Sequence, residues 1–190
     1  MEVVLASKSP RRLQLLQAAG FAVEVRPSHV DETPLPGEQV DAMVQRLCRM
    51  KAVACPVDDL PVIAADTLVA LDGAALGQPI DIPEAKAMIQ LLSGREHQVF
   101  TAVCVRLGNK ILDGMAETRV RFRDVDDSEL DIYLEHNEVL DKAGAYAIQA
   151  GAASFIRSID GPMDNVIGLP VTLTKGLLME LKRERIQNEC

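Results

Sequence analysis

The chain has 190 residues, with 20 Lys and Arg against 28 Asp and Glu and a formal charge of −8. At 48% hydrophobic and 25% charged residues it holds enough apolar side chains to offset the entropy lost on folding, which argues against disorder. Aromatics are 3% with no Trp, a poor basis for gripping a nucleic acid polymer by stacking and counterion release, although a local basic pocket for a small anion stays open. One domain over residues 1–190 is expected at this length. Cys48, Cys55, Cys104 and Cys190 form no C-x-x-C pair and match no zinc spacing, so free, reduced, mostly buried thiols and a cytoplasmic location are expected. The first residues carry no basic region and too short an apolar run for a signal peptide. No stretch approaches the roughly 18 apolar residues of a membrane helix, so no membrane partner is expected.

Val3 to Ala6 reads as a buried strand. From Pro10 the residues Leu13, Leu15, Leu16 and Ala19 form a helical stripe that Gly20 closes. Ala22 to Val25 is a second strand, and Ser28 to Glu38, with Pro34, Pro36 and Gly37, is a loop. Val40, Met43, Val44 and Leu47 recur at i, i+3, i+4, i+7, an amphipathic helix reaching about Ala54. Pro61 to Ala65 is a continuous apolar run of the central-strand kind, and Leu68 to Leu71, Asp72-Gly73 and Ala74 to Leu76 read as a hairpin.

Asp81 is placed to cap a helix through Leu92 that Gly94 ends. Val99 to Leu107 and Lys110 to Phe122 are long strands around Gly108-Asn109. Asp126 to Glu129 opens a helix to about Glu135, Tyr146 to Gln149 and Ser154 to Ile159 read as short strands, and Pro170 to Lys182 as a closing helix. This alternation predicts an α/β domain with a mixed sheet.

Several places could carry chemistry. Ser7-Lys8-Ser9-Pro10-Arg11-Arg12 lies between a strand and a helix, with Ser9 suited to the N-cap and Pro10 to the first turn. Arg11 and Arg12 then stand at the positive end of the helix dipole, a cost of about 0.3–1 kcal/mol per cation. A bound phosphate would remove that cost, since free N–H groups, hydroxyls and guanidinium forks converge on it. A solvated basic helix start explains the residues equally well. Asp66-Thr67 follows the apolar run, and a carboxylate at the end of a buried strand can hold Mg²⁺ or act as general base; a turn aspartate is the plainer reading. Asp31-Glu32 in the loop could complete a metal site with Asp66 or be a solvated pair. Lys51 could serve as a phosphate cation or cap its helix. In Asp141 to Gln149 small residues allow close backbone approach, and the Gln149 amide suits a nucleobase edge. His29, His97 and His136 share no metal-like spacing.

Taken in order, Ser7 to Arg12, Asp31-Glu32, Lys51-Ala52, Ala65 to Thr67, Leu91 to Gly94 with His97, Thr118 to Phe122, Asp141 to Gln149 and Asn165 to Pro170 resemble the Maf family of nucleoside triphosphate pyrophosphatases over nearly the whole chain. The resemblance implies an elongated mixed β-sheet flanked by helices, with two lobes around a central cleft, like the inosine triphosphate pyrophosphatases. It implies a reaction too: splitting of a nucleoside triphosphate into monophosphate and pyrophosphate with a divalent metal, Mg or Mn. On matching positions, Asp66 looks like the residue that activates water, and Glu32 with Asp66 would place the metal. Ser7, Ser9, Arg11, Arg12 and Lys51 would hold the triphosphate. Arg11, Thr67 and Gln149 match positions tied to base choice, and the Ala-Asp-Thr and Ala-Tyr-Ala-Ile-Gln runs resemble the dTTP and UTP branch rather than the 7-methyl-GTP branch. Gln78 stands where the family usually has lysine, and Lys142 could take over that cation's role. The alternatives are a nucleotide-binding regulator of septum formation with little turnover and a pyrophosphatase of different base specificity, such as one acting on 7-methyl-GTP. The expected partner is the nucleotide, and a homodimer stays open because no patch can be located in the sequence.

Overall fold

The computed structural model describes residues 1–188. β1 (Glu2–Leu5) leads into α1 (Pro10–Ala18), where Ser9 has an extended backbone and its hydroxyl accepts the Arg12 N–H at 3.5 Å. Gly20, at φ +88°, closes α1 in the left-handed position that a side chain would strain. β2 (Ala22–Val25) pairs parallel to β1. α2 (Val40–Ala54) buries Val40, Met43, Val44, Leu47, Cys48 and Ala52, the stripe its periodicity predicts.

β3 (Val62–Leu71) is buried at every position except Thr67, as befits a central strand. Here the structure corrects the sequence reading, which ended the buried run at Ala65 and set Asp66-Thr67 beyond it. The strand runs through both residues and on into the hairpin with β4 (Ala74–Leu76), Val69 facing Leu76 and Leu71 facing Ala74. Ladder hydrogen bonds use backbone groups only, so a carboxylate inside the strand is tolerated once its charge is paired.

α3 (Ile82–Leu92) begins at Asp81, whose carboxylate accepts the Glu84 N–H at 2.8 Å. β5 (Glu96–Leu107) starts earlier than the expected Val99 and turns into β6 (Lys110–Phe122). α4 (Asp127–His136) is capped by Asp126. β7 (Ile156–Asp160), α5 (Met163–Ile167) and α6 (Val171–Asn188) complete the fold. The strand expected at Tyr146–Gln149 is absent. Tight 3₁₀ turns occupy Ala143–Ala145, Ile148–Ala150 and Ala152–Phe155 instead. Gly144 at φ +68° and Ala145 at φ +61° turn the backbone away from an extended path. A Cβ on Gly144 would stand 3.1 Å from Val69 Cγ2, so the segment needs glycine there.

The strands form one mixed sheet of seven, in the order β2-β1-β3-β5-β6-β7 with β4 on β3, flanked by helices as expected. The chain comprises two compact units, Met1–Asp66 with Thr101–Ala116 and Gly168–Cys190, and Thr67–Phe100 with Glu117–Ile167. In the first, Val3, Leu5, Ile63, Ala65, Val103 and Val105, alternate residues of three strands, are buried with Leu16 of α1 and Leu177, Leu178 and Leu181 of α6. Each large side chain buried this way contributes about 1.5–3 kcal/mol. The second unit has its own core, in which Phe122 meets His97, Tyr146 and Phe155 edge-on with centroids 4.9, 5.0 and 6.0 Å away.

α2 has no glycine to close it, and Cys55 follows in extended conformation. Arg106, from β5, does that work. Its Nε donates to the Ala52 carbonyl at 2.9 Å, and its Nη2 donates to the Cys55 and Val57 carbonyls, both at 2.6 Å. Its Nη1 donates to the Gly108 carbonyl at 2.9 Å and the Asp58 carboxylate at 2.6 Å. All five guanidinium donors are used, and a cation stands where the helix dipole is negative. Cys48, Cys55 and Cys104 are buried free thiols, as expected; Cys190 lies outside the described residues. Among the described residues no helix is long and apolar enough to cross a membrane.

Candidate active site

The first unit gathers most of the singled-out residues. Lys51, in the last turn of α2, points its ammonium at two carboxylates: Asp66 Oδ1 on β3 and Glu32 Oε1 in the loop, the latter 2.8 Å away. Helix spacing puts Lys51 one turn past Leu47 and Cys48, so the stripe that buries α2 also aims the lysine inward. Asp66 is 6% exposed and the Lys51 side chain 12%, whereas the Glu32 side chain is 56% exposed. Two carboxylates therefore share one cation at a place where only one of them is shielded from water.

The turn between β1 and α1 belongs to the same unit. Ser7 Oγ accepts from the Ser9 N–H at 3.2 Å and from Arg12 Nη1 at 3.1 Å, and Arg12 Nε donates to the Gly168 carbonyl at 2.8 Å. Ser7, Ser9, Arg11 and Arg12 are all half-buried. Burial lowers the Arg12 pKa, and the Asp66 carboxylate is the largest influence holding it up. The effect is mutual. Burial raises the Asp66 pKa above the usual aspartate value, while Lys51 and then Arg12 pull it down. Arg12, Lys51, Asp66 and Glu32 thus form one electrostatic cluster.

Asp31 does not join it. Its carboxylate accepts the Thr33 N–H at 2.9 Å and the Thr33 hydroxyl at 2.6 Å, an Asx turn that holds its pKa below the ordinary value. Of the expected pair of loop carboxylates, Asp31 forms a turn and Glu32 meets Lys51.

Thr67 follows Asp66 on β3 and is half-buried. Lys142 and Gln149 belong to the second unit. Lys142 is 7% exposed, with its ammonium bonded to the Asp141 carboxylate. Gln78 Nε2 donates to the Asp141 carbonyl at 3.1 Å, and the Gly144 N–H to the Gly77 carbonyl at 3.0 Å, so the Gly77-Gln78 stretch is tied to the segment carrying Lys142. Gln149 is exposed in the turn Ile148–Ala150. His97 is a core residue, its Nε2 2.8 Å from the Tyr146 hydroxyl.

Residues 2–181 match the Maf-like protein family. The chain belongs to this family. A dTTP/UTP pyrophosphatase of Anaeromyxobacter dehalogenans strain 2CP-1 is 47% identical over 180 residues, covering 93% of this chain and 92% of that protein. One from Anaeromyxobacter sp. strain Fw109-5 is 46% identical over 181 residues, covering 93% and 87%. One from Nitrosomonas europaea is 44% identical over 195 residues, covering 94% and 93%. The family suggested by the ordered motifs is the family found, and the mixed α/β sheet agrees with it.

Sequence reasoning passed over two arginines that brace the first unit's site. Arg106 closes the helix that carries Lys51, and Arg46 ties the loop that carries Glu32. Neither stands out in the chain, because the partners of Arg106 are mostly backbone carbonyls some fifty residues away. For Arg46 one signal was present: Glu38, eight residues earlier, at the end of the proline-bearing loop.

Proposed function

We propose that the chain acts as one nucleotide pyrophosphatase domain over residues 1–190, hydrolysing dTTP and UTP to the monophosphate and pyrophosphate. The observation that supports this reading best is the shared contact of Asp66 and Glu32 with one ammonium group, beside Arg12 at the start of α1. A triphosphate brings negative charge to a place rich in cations, and a divalent ion brings positive charge to the carboxylates. Together they satisfy both signs.

The donor set suits Mg²⁺ or Mn²⁺. Glu32 and Asp66 offer hard carboxylate oxygens that already meet around one cationic nitrogen, and Mg²⁺ commonly takes one or two carboxylates with substrate phosphates and water. Among the described residues no group of three His, Cys, Asp or Glu side chains gathers as a metal cage, so the rest of the shell is assigned to substrate and water. A divalent ion held by Glu32 and Asp66 would supply neutralisation of negative charge on the phosphate oxygens.

The chain's own residues do the rest. Asp66, raised in pKa by burial, holds and deprotonates a water; its oxygen bonds to the α-phosphorus as the bond from that phosphorus to the bridging oxygen breaks, and pyrophosphate leaves with the electron pair. Arg12 and Lys51 stabilise the growing charge on phosphate oxygens, with Arg11 and the Ser7 and Ser9 hydroxyls holding the remaining oxygens. Once the triphosphate is bound, Lys51 exchanges a carboxylate partner for a phosphate one. Thr67 and Gln149 contribute to base choice, and Lys142 supplies the cation that Gln78 lacks. The cytoplasm is the assigned setting, which the unbridged thiols suit.

The test is a nucleotide panel with Mg²⁺ or Mn²⁺, scored separately for pyrophosphate and orthophosphate. Pyrophosphate from dTTP and UTP in excess over dCTP, GTP and 7-methyl-GTP is expected. Preference for 7-methyl-GTP would overturn the base assignment, and tight nucleotide binding without pyrophosphate would make the chain a regulator.

A further inference from the structure

Glu32 is the exposed member of the cluster, and among the described residues its side chain is held near Lys51 by the ion pair at 2.8 Å. With one partner this exposed, such a pair contributes on the order of 1 kcal/mol, too little to order a loop containing Pro34, Pro36 and Gly37. The order comes from elsewhere. Arg46, on α2, makes a two-pronged pair with Glu38, Nε to Oε1 at 2.6 Å and Nη2 to Oε2 at 2.7 Å. Its Nη2 also donates to the Thr33 carbonyl at 3.2 Å. Glu38 Oε2 in turn accepts the Leu35 N–H at 3.1 Å, which closes the loop on itself.

The Glu38 side chain is 9% exposed against 56% for Glu32, so the carboxylate of this pair is better shielded than the one it serves. Bidentate geometry adds direction as well as strength, because the planar fork admits one approach of the carboxylate. Glu32 therefore sits between two fixed points. On one side Asp31 locks Thr33 through the Asx turn, and on the other Arg46 holds the Thr33 carbonyl. Arg46 and Lys51 ride on the same helix, so the clamp measures Glu32 against the very element that carries its partner.

We infer that Arg46, acting through Glu38 and the Thr33 carbonyl, is a positioning residue that holds Glu32 at Lys51 and so completes the carboxylate pair that takes the divalent ion. The inference rests on the proposed pyrophosphatase reading for its metal, but its geometry stands on the loop alone. Groups that orient a metal ligand from outside typically change metal affinity 10- to 100-fold when lost.

Arg46→Lys keeps the charge and removes the fork; Glu38→Gln keeps the shape and removes the charge. Each is compared with the wild-type chain in amide hydrogen exchange over residues 31–38, in Mn²⁺ binding followed by the free-ion paramagnetic signal, and in pyrophosphate release from dTTP against Mn²⁺ concentration. Both variants are expected to exchange faster at Thr33 and Leu35 with the α2 amides unchanged. They should also need roughly tenfold more Mn²⁺ for half-saturation in both metal readouts, while kcat at saturating Mn²⁺ is largely kept. In a Glu32→Gln background Arg46→Lys should add nothing further to the Mn²⁺ requirement, since the residue it positions is gone.

Additive losses in that background, unchanged loop exchange, or a fall in kcat with no Mn²⁺ shift would each overturn the inference. A wild-type chain that binds Mn²⁺ but releases no pyrophosphate would end the proposed function, with exchange and Mn²⁺ binding still deciding on Arg46. A wild-type chain that turns over dTTP while the Arg46 variants match it throughout would end the inference alone.

Discussion

The polar cluster around Asp66 in the first unit and the one around His97 in the second are buried in opposite ways. In the first, Lys51 and Arg12 pull the Asp66 pKa down against its burial, and Asp66 in turn holds the Arg12 pKa up. In the second, His97 and Tyr146 share a hydrogen bond among aromatic rings, and no charge compensates. Burial alone lowers His97 to about 4, so it is neutral at physiological pH, and burial raises the Tyr146 hydroxyl likewise into its neutral form. A charged buried cluster is seldom the most stable filling for its space, since well-packed apolar groups of like volume often do as well or better. The neutral pair avoids a buried charge but leaves the His97 Nδ1 without a hydrogen-bond partner among the described residues. The contrast separates a charged cluster suited to a ligand from a neutral pair that serves packing.

The comparison breaks most visibly at Asp66. Asp66→Asn should lower pyrophosphate release roughly 10²- to 10⁴-fold while thermal unfolding stays near that of the wild-type chain. Ordinary turnover in this variant would remove Asp66 from the chemistry. His97 provides the reverse case, a residue that matters to stability. Its pKa falls from 6.5 in the unfolded chain to about 4 in the fold, so the unfolded state takes up the proton first as pH drops. Stability is complete above 6.5 and is lost progressively as pH falls through that interval, by up to ~3 kcal/mol. In His97→Gln that portion of the pH dependence should vanish; urea melts of the two proteins that run parallel from pH 7 to roughly 4 would contradict the assignment. The smallest effect is expected at Gln149. Losing its amide should narrow the preference between dTTP and other nucleotides by about threefold to tenfold, the worth of one hydrogen bond, with phosphate affinity kept. An unchanged nucleotide profile for Gln149→Ala would take Gln149 out of base reading.

Much of the fold was legible because its signals are local. Ser9-Pro10, Asp81 and Asp126 mark helix starts through contacts within three residues, and Asp72-Gly73 marks a hairpin through backbone angles alone. Asp66 stood out as a carboxylate after an apolar run but not as a strand residue: an aspartate in a strand looks like an interruption until its half-buried partner Lys51, on another element, is seen. Tyr146 to Gln149 reads as a strand because Tyr, Ile and their neighbours favour extended backbone, and the two left-handed residues before it overrule them. Asp31 and Glu32 are adjacent carboxylates with different duties, and only the hydrogen bonds of Thr33 tell them apart. The family emerged from the ordered run of short motifs, none of which carries it singly.

Arg106 bears on when the site comes into being as well as on what holds it. The donor that closes α2 reaches the Ala52 carbonyl from 54 residues further along the chain. Until β5 has been laid beside that helix end, the turn next to Lys51 has open carbonyls and only weak reason to stay wound. Closing a loop of that length is an entropic step that local contacts cannot hasten. The winding of the helix end beside Lys51 thus depends on a donor 54 residues away, so a local signal in α2 alone does not secure it.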